Sequence, residues 1–329
     1  MRRLCRFTAG FSIGCAACVA HFRSGAYLLA AIAAALCVLA LGFRKQLHLQ
    51  RLLPALLGLS LALAWCGVYR AVLLRPIEAF CARQQAEISA EVLEYPTRSR
   101  YGRAVLVCVE AEPRSIRAVL YYSSDETLLP GDRVTCTAKL RAASPDNLER
   151  DEYYASRGVW MCASAKGELT VEAGTRSLRY FPVYAAERLK RVCTQIFPAD
   201  AAGFLQALLT GDKQNLSYAL RNDLSRSGVY HVVAVSGMHV SLLAGLVMLL
   251  CAKKRVLCAA LGIPLVWFFV LLTGANASSV RAGIMQTMLL VSGLVRRERD
   301  PWTAFSAALM VLLAENPWSL RNVGLLLSF

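Results

Sequence analysis

Two histidines, His231 and His239, stand in the apolar stretch "HVVAVSGMHVSLLAG", together with Ser236 and Gly237. A helix turns by about 100° per residue, so Ser236 and His239, three positions apart, share one face. The chemistry such a pair could do is nucleophilic hydrolysis inside a membrane. That reaction needs a histidine base within hydrogen-bond reach, usually from another helix. Here both histidines lie on the serine's own segment, and no Gly-x-Ser-x-Gly turn surrounds Ser236. The sequence has no zinc-hydrolase pattern, so neither metal nor cofactor is expected. Two readings stay open for this face. The imidazoles bond a neighbouring helix while Gly237 permits close packing, or the face lines a hydrated path. Arg281, in "ASSVRAGIM", is a second ionisable group in apolar surroundings. It either snorkels to the interface or meets an anionic substrate or an acidic partner such as Asp212. Asp212 itself, in "LLTGDKQNLS", reads as part of a solvated turn.

The elements that must position these residues are apolar. The chain has 329 residues, 56% of them hydrophobic, and a mean hydropathy of +0.44. Three apolar runs precede a polar block at 82–176: the first after "MRRLCR", then "AYLLAAIAAALCVLALGF", then residues 52–74. Four more follow, at about 231–251, 256–273, 278–295 and 302–314. The latter two N-terminal runs are each long enough to span a bilayer. Between block and later runs, residues 177–230 are amphipathic. Leu216, Leu220 and Leu224 form one face there, and Gly228 can end that helix. These segments predict amphipathic helices on the outer membrane surface.

Charge assigns an orientation. Residues 82–176 carry 13 basic and 14 acidic side chains, so the chain's +15 belongs to the remainder, with 24 basic against 8 acidic. Such a distribution speaks for membrane topology rather than a basic soluble partner-binding domain. Arg2, Arg3 and Arg6 precede the first run, and Arg44, Lys45 and Arg51 separate the second from the third. "AKKR" and "RRERD" follow the first and third of the later runs. Both halves independently put the basic loops in the cytoplasm and the polar block outside.

The block reads as β structure. "AEISAEVLEY", "AVLVCVEAE", "IRAVLYY", "DRVTCTAKL", "GVWMCASA" and "ELTVEA" are short runs bounded by turn residues, with a helical patch in "NLERDEYYASRG". In "RVTCTAKLR", Val134, Cys136, Ala138 and Leu140 alternate with polar residues, which gives one buried face. A small OB-like barrel fits this pattern. Tyr121, Tyr122, Tyr153, Tyr154 and Trp160 could stack nucleic-acid bases or pack the barrel. Cys108, Cys136 and Cys162 could form a disulfide in an extracytoplasmic domain. Cys15 and Cys18 read as small packing residues. The fold class expected is thus a polytopic α-helical membrane protein with an inserted extracytoplasmic β-barrel. Its parts are N-terminal transmembrane helices (1–81), the OB-like domain (82–176), surface helices (177–230) and a transmembrane domain (231–329).

"LLTGDKQNLSYALRNDLSRSGVYHVVAVSGMHVSLLAG" resembles the signature of the ComEC-type competence proteins, inner-membrane DNA-uptake channels of transformable bacteria. Gly211, Asp212, Ser227, Gly228, His231, Ser236, Gly237, His239 and Gly245 carry the match. "LTGANASSVRAGIM", with Gly274 and Arg281, and "DPWTAFSAALMVLLAENPWSLRNVGLLLSF" are similar to two further family segments. Leu326 departs from the pattern, where glutamine is expected. The resemblance implies a multi-pass protein of the bacterial cytoplasmic membrane that takes up single-stranded DNA, with His231, Ser236, Gly237, His239, Arg281 and Asp212 along its path. It implies as partners single-stranded DNA, other competence machinery proteins and the lipid bilayer, and leaves a homo-oligomer open. It also implies a truncated, non-enzymatic member, whose missing parts would be further channel helices and a metallo-hydrolase nuclease domain. The competing functions are a transporter of another solute and a membrane-anchored OB-like protein-interaction module.

Overall fold

The computed structural model describes residues 3–21, 32, 35, 52–99, 102–111, 114–124, 126–143, 149–228, 230, 236–251, 254–295 and 300–328. Helix α1, Arg3–His21, pairs with α2, Leu53–Tyr69. The second expected apolar run lies almost wholly outside the described residues. Helix α2 continues through a π-helical turn, Arg70–Leu74, into α3, Arg75–Cys81, as one apolar rod of 29 residues. Small residues bring α1 and α2 together. A Cβ at Gly10 would overlap the Ala55 carbonyl, and one at Gly58 would overlap the Phe7 carbonyl. Gly14 lies against Ala62, whose Cβ would be 2.7 Å from an added one. Backbones this close gain dispersion contacts that larger side chains would prevent. Cys15 and Cys18 pack in the same seam with Phe11, Leu63 and Cys66.

The polar block closes into a barrel. Its strands are β1 (Gln85–Val92), β2 (Thr97–Ser99), β3 (Gly102–Val109), β4 (Ile116–Tyr122), β5 (Arg133–Ala142) and β6 (Met161–Glu172). Around the ring the order is β1-β3-β4-β6-β5 and back to β1, with short β2 appended to β3. Only β4 and β6 run parallel. Five strands closed in this way are OB-like. The alternation expected in β5 holds, with Val134, Cys136, Ala138 and Leu140 buried. A register shift between Thr135 and Thr137 marks a bulge, the usual device for bending a strand around a barrel. One expectation is corrected. "GVWMCASA" and "ELTVEA" are not two strands, because β6 runs through both. Gly167 takes φ +85 between them, so the strand continues where a turn was expected. Cys108, Cys136 and Cys162 form no disulfide.

Helix α4, Glu149–Ala155, connects β5 to β6. Then come α5 (Phe181–Ile196), α6 (Ala199–Thr210), α7 (Tyr218–Arg226), α8 (Gly237–Leu250), α9 (Arg255–Leu272), α10 (Ala277–Leu294) and α11 (Pro301–Glu315). A 3-10 turn, Pro317–Arg321, leads to the short α12, Val323–Leu326. Among the described residues, Leu53–Cys81 and Arg255–Leu272 are long and apolar enough to cross a membrane. Gly237–Leu250 and Pro301–Glu315 are apolar but shorter. Helices α8, α9 and α10 share a core of Val240, Ala244, Val266, Val270 and Ala282. The Leu216–Leu220–Leu224 face packs on Phe204 and Ala207 of α6.

Barrel and helices meet around three aromatic rings. Tyr69 of α2, Trp160 before β6 and Trp318 of the 3-10 turn lie with centroids 5.6–6.1 Å apart. Asn316 Nδ2 donates to the Ala155 carbonyl at 2.8 Å. Arg321 pairs with Glu152 and donates to the Val19 carbonyl at 2.9 Å, so one guanidinium ties α4 to the end of α1.

The glycine seam gives a direct expectation. Gly58→Leu should lower the stability of the detergent-purified chain by at least about 1–3 kcal/mol, the usual cost of overpacking. Gly245→Leu, where an added Cβ meets nothing within 4 Å, should cost much less. Thermal unfolding followed by tryptophan fluorescence measures both.

Candidate functional site

The motif around Asp212 is built as a pinned turn. Helix α6 ends at Gly211, whose φ of +78 suits glycine and whose N–H donates to the Ala207 carbonyl at 3.0 Å. Asp212 then uses both oxygens. Its Oδ1 accepts from the Gln214 N–H at 3.1 Å, closing the turn, and its Oδ2 accepts from Lys190 Nζ at 2.6 Å. Lys190 comes from α5, and Glu187 lies 3.7 Å from the same ammonium. The acidic partner considered for Arg281 is therefore engaged elsewhere, because the α5 lysine reaches Asp212.

Gln206 holds this arrangement from below. Its side chain is buried; Nε2 donates to the Lys190 carbonyl and Oε1 accepts from Asn215 Nδ2, each at 2.8 Å. One buried amide thus joins α5, α6 and the turn. Gly203 lets the turn lie flat on α6, since a Cβ there would overlap the Asn215 carbonyl.

The turn also touches the barrel. The Arg98 N–H donates to Gln214 Oε1 at 3.3 Å. Along the same side, Tyr184 donates to the Pro130 carbonyl at 2.7 Å, and Tyr180 donates to Glu91 Oε1 at 2.6 Å. Burial, with the Glu91 carboxylate beside it, pushes the Tyr180 phenol up. Glu94 follows β1 and is solvent-exposed, yet desolvation pushes its carboxyl up, against the pull of Arg157, Lys190 and Arg117. Arg157, Lys190 and Arg117 thus act on Glu94 through their charge, with Asp212 opposing them.

The aromatic candidates separate. Tyr122 and Trp160 are buried, so the barrel core and the ring cluster occupy the faces that bases would need. Tyr121 and Tyr154 bond each other through their hydroxyls. Tyr153 is 51% exposed, but the Arg157 guanidinium lies over it at 4.4 Å. Of the five, only Tyr153 keeps a large exposed surface.

The described helix that carries His239 starts at Gly237. His231 lies outside the described residues. Ser236 is extended, at φ −117 and ψ 169, and α8 begins at Gly237. Ser236 is thus the N-cap, and His239 lies in the first turn rather than two turns deep. The His239 ring reaches back, and its Nδ1 accepts from the Ser236 N–H at 3.3 Å, with Ser236 Oγ also 3.3 Å away. This is a capping box with imidazole in the role usually taken by a carboxylate or amide. Accepting at Nδ1 assigns the proton of the neutral ring to Nε2. Gly237 faces α10: a Cβ there would lie 3.3 Å from Ala282 Cβ and 3.6 Å from Arg281 Nη2. The structure therefore brings Ser236, Gly237, His239 and Arg281 together, and puts Asp212 in a different cluster. Among the described residues, no group of three or more His, Cys, Asp or Glu side chains is placed to hold a metal.

Sequence reasoning missed Lys190, Gln206 and Glu94. Lys190 and Glu187 carried only the signal of an ordinary i,i+3 helix pair. Gln206, a lone polar residue in "AAGFLQALLT", was the more legible hint, because a buried amide needs partners.

The family model described as Competence protein matches residues 208–329. ComE operon protein 3 of Bacillus subtilis (strain 168) is 34% identical over 140 residues, covering 41% of this chain and 18% of that protein. Competence protein ComA of Neisseria gonorrhoeae is 29% identical over 143 residues, covering 40% of this chain and 20% of that protein. The match thus spans about a fifth of each relative's length. No solved structure matches the chain.

The two pins of the Asp212 turn should differ in cost. Asp212→Asn keeps the bond to Gln214 and should lose about 1 kcal/mol with the ion pair. Gln206→Leu strands the Lys190 carbonyl and the Asn215 amide and should cost about 2–4 kcal/mol. Denaturation midpoints of the two variants, compared with the parent, test the order.

Proposed function

From the premise that the chain is a ComEC-type competence protein through its domain of residues 208–329, we propose that it helps import single-stranded DNA across the bacterial cytoplasmic membrane during natural transformation. In this reading the chain crosses the membrane several times, as a channel component, with the barrel of residues 82–176 on the extracytoplasmic side. The basic loops "AKKR" and "RRERD" lie in the cytoplasm and hold that orientation. Residues 177–230 lie at the outer surface, where exposed Leu178, Phe181 and Ile196 meet lipid. Residues 231–329 supply the channel helices. Other competence machinery delivers the strand, and the nucleic acid is the cargo.

One observation carries the proposal. Gly237 opens the N-terminus of α8 toward Arg281, so the positive end of a helix and a guanidinium converge among apolar helices. The two positive groups add their attraction for an anion at this point. A helix N-terminus beside an arginine suits a phosphate. The phosphodiester backbone offers one such group per nucleotide, whatever the sequence. In this reading His239, tied to Ser236, holds the shape of the helix start.

A second reading has its own support. The burial of Tyr122 and Trp160 leaves the barrel few stacking surfaces, which favours a barrel that binds a partner protein.

The test is strand uptake in cells that depend on this protein for transformation. Arg281→Gln should reduce internalised labelled strand about tenfold or more, as expected when a charge-assisted contact is lost, while membrane abundance stays unchanged. Arg281→Lys should retain more uptake than Arg281→Gln. Full uptake by a normally abundant Arg281→Gln variant would remove the proposal's main support.

A further inference from the structure

Tyr230 is gripped by two cations. Arg221 of α7 aims Nε and Nη2 at the Tyr230 hydroxyl oxygen, each at 3.3 Å. Lys213, next to the pinned Asp212, places its ammonium 4.3 Å from the centre of the Tyr230 ring. Among the described residues, neither Lys213 nor Arg221 is paired with a carboxylate.

This geometry is unusual for a tyrosine and ordinary for an oxyanion. The Nε–Nη2 edge of arginine is a fork that matches two oxygens of a carboxylate or phosphate. Here the fork closes on one phenol oxygen. Both bonds are longer than the roughly 2.7–2.9 Å of charge-assisted contacts, so the fork is under-engaged. The ammonium lies over the ring, a modest contact at an exposed position. The phenol responds to its neighbours: the Arg221 hydrogen bond, followed by the charge of Lys213, outweighs desolvation and pulls it below its usual range. Tyr230 thus stands where an anionic oxygen would be held better.

We propose that Lys213 and Arg221 form a phosphate-binding pair, and that Tyr230 is a latch occupying this pair until a phosphodiester of single-stranded DNA displaces it. The inference rests on the DNA-import reading for the identity of its ligand, and on the clamp geometry for the site itself. Along the sequence the site falls between the Asp212 turn and the Ser236 cap. Swinging Tyr230 away breaks two long hydrogen bonds and one cation–π contact. A phosphate replaces them with shorter bonds to full charge. The latch keeps the pair from capturing other anions when no strand is present.

The experiment uses the full chain in nanodiscs of zwitterionic lipid and a fluorescent oligothymidylate. Tyr230→Phe keeps the ring and removes the competing oxygen, so it should bind the oligonucleotide about fivefold more tightly than the parent. Adding Lys213→Gln and Arg221→Gln to that variant should lower the salt slope of log K by about 1.4, the value for two phosphate contacts to a single strand. Equal affinity of parent and Tyr230→Phe overturns the latch and leaves DNA import standing. An unchanged salt slope on removing the two cations overturns the phosphate pair. Absence of oligonucleotide binding by every protein overturns the ligand and the import reading together. Anionic-lipid nanodiscs serve as the competing source of phosphate. If Tyr230→Phe gains affinity only for them, lipid replaces DNA as the occupant and the proposal fails.

Discussion

The contact among Tyr69, Trp160 and Trp318 fixes how the rest of the chain is arranged. Each ring belongs to a different part: the long N-terminal rod, the barrel, and the turn after α11. Their burial continues the barrel core into the helices, so Leu74, Ile77 and Cys81 share one apolar cluster with Val105, Leu120 and Met161. Aromatic pairs at this spacing add to the free energy of the area they bury. Arg321 and Asn316 supply direction around the rings, by bonding groups that only one docking orientation brings within reach. A barrel held this way cannot swing freely. Tyr180, in the turn before α5, and Tyr184 of α5 hold its other side.

That constraint gives the residues of the signature a physical account. Gly211 ends a helix, Asp212 closes a turn and captures Lys190, and Gln206 sets both. Gly228, at φ +74, stops α7. Ser236 and His239 start α8, and Gly237 lets it approach Arg281. Much of the motif therefore builds backbone ends and close approaches. The proposed contacts to a ligand are cations: Arg281, Lys213 and Arg221. A path that reads phosphates and ignores bases needs little more than positive charge in a fixed place.

The barrel was legible because strand alternation is local. Val134, Cys136, Ala138 and Leu140 announce a buried face without reference to any partner. Its merged sixth strand was not, because Gly167 signals a turn unless the neighbouring strands are known. The seam of Gly10, Gly14 and Gly58 was missed for a similar reason: glycine's value there lies in which helix it faces. The start of α8 was misplaced because apolarity runs unbroken from residue 231, and a Ser-Gly pair inside it reads equally as packing or as a cap. Asp212 could be placed in a turn from its flanking residues, but its partner Lys190 is distant in sequence and unmarked. The stacking role of Trp160 and Tyr122 could not be judged from residue type, since an aromatic ring suits a core and a binding face alike.

The central claim is that the barrel and the helical half are one mechanical body, joined through the aromatic rings. A double-mutant cycle of Trp160→Leu and Trp318→Leu, measured by thermal unfolding of the full chain in detergent, tests it most directly. The account predicts a single cooperative transition in the parent and a coupling of about 1 kcal/mol between the two positions. Additive effects, with the barrel melting separately from the helices, would contradict it.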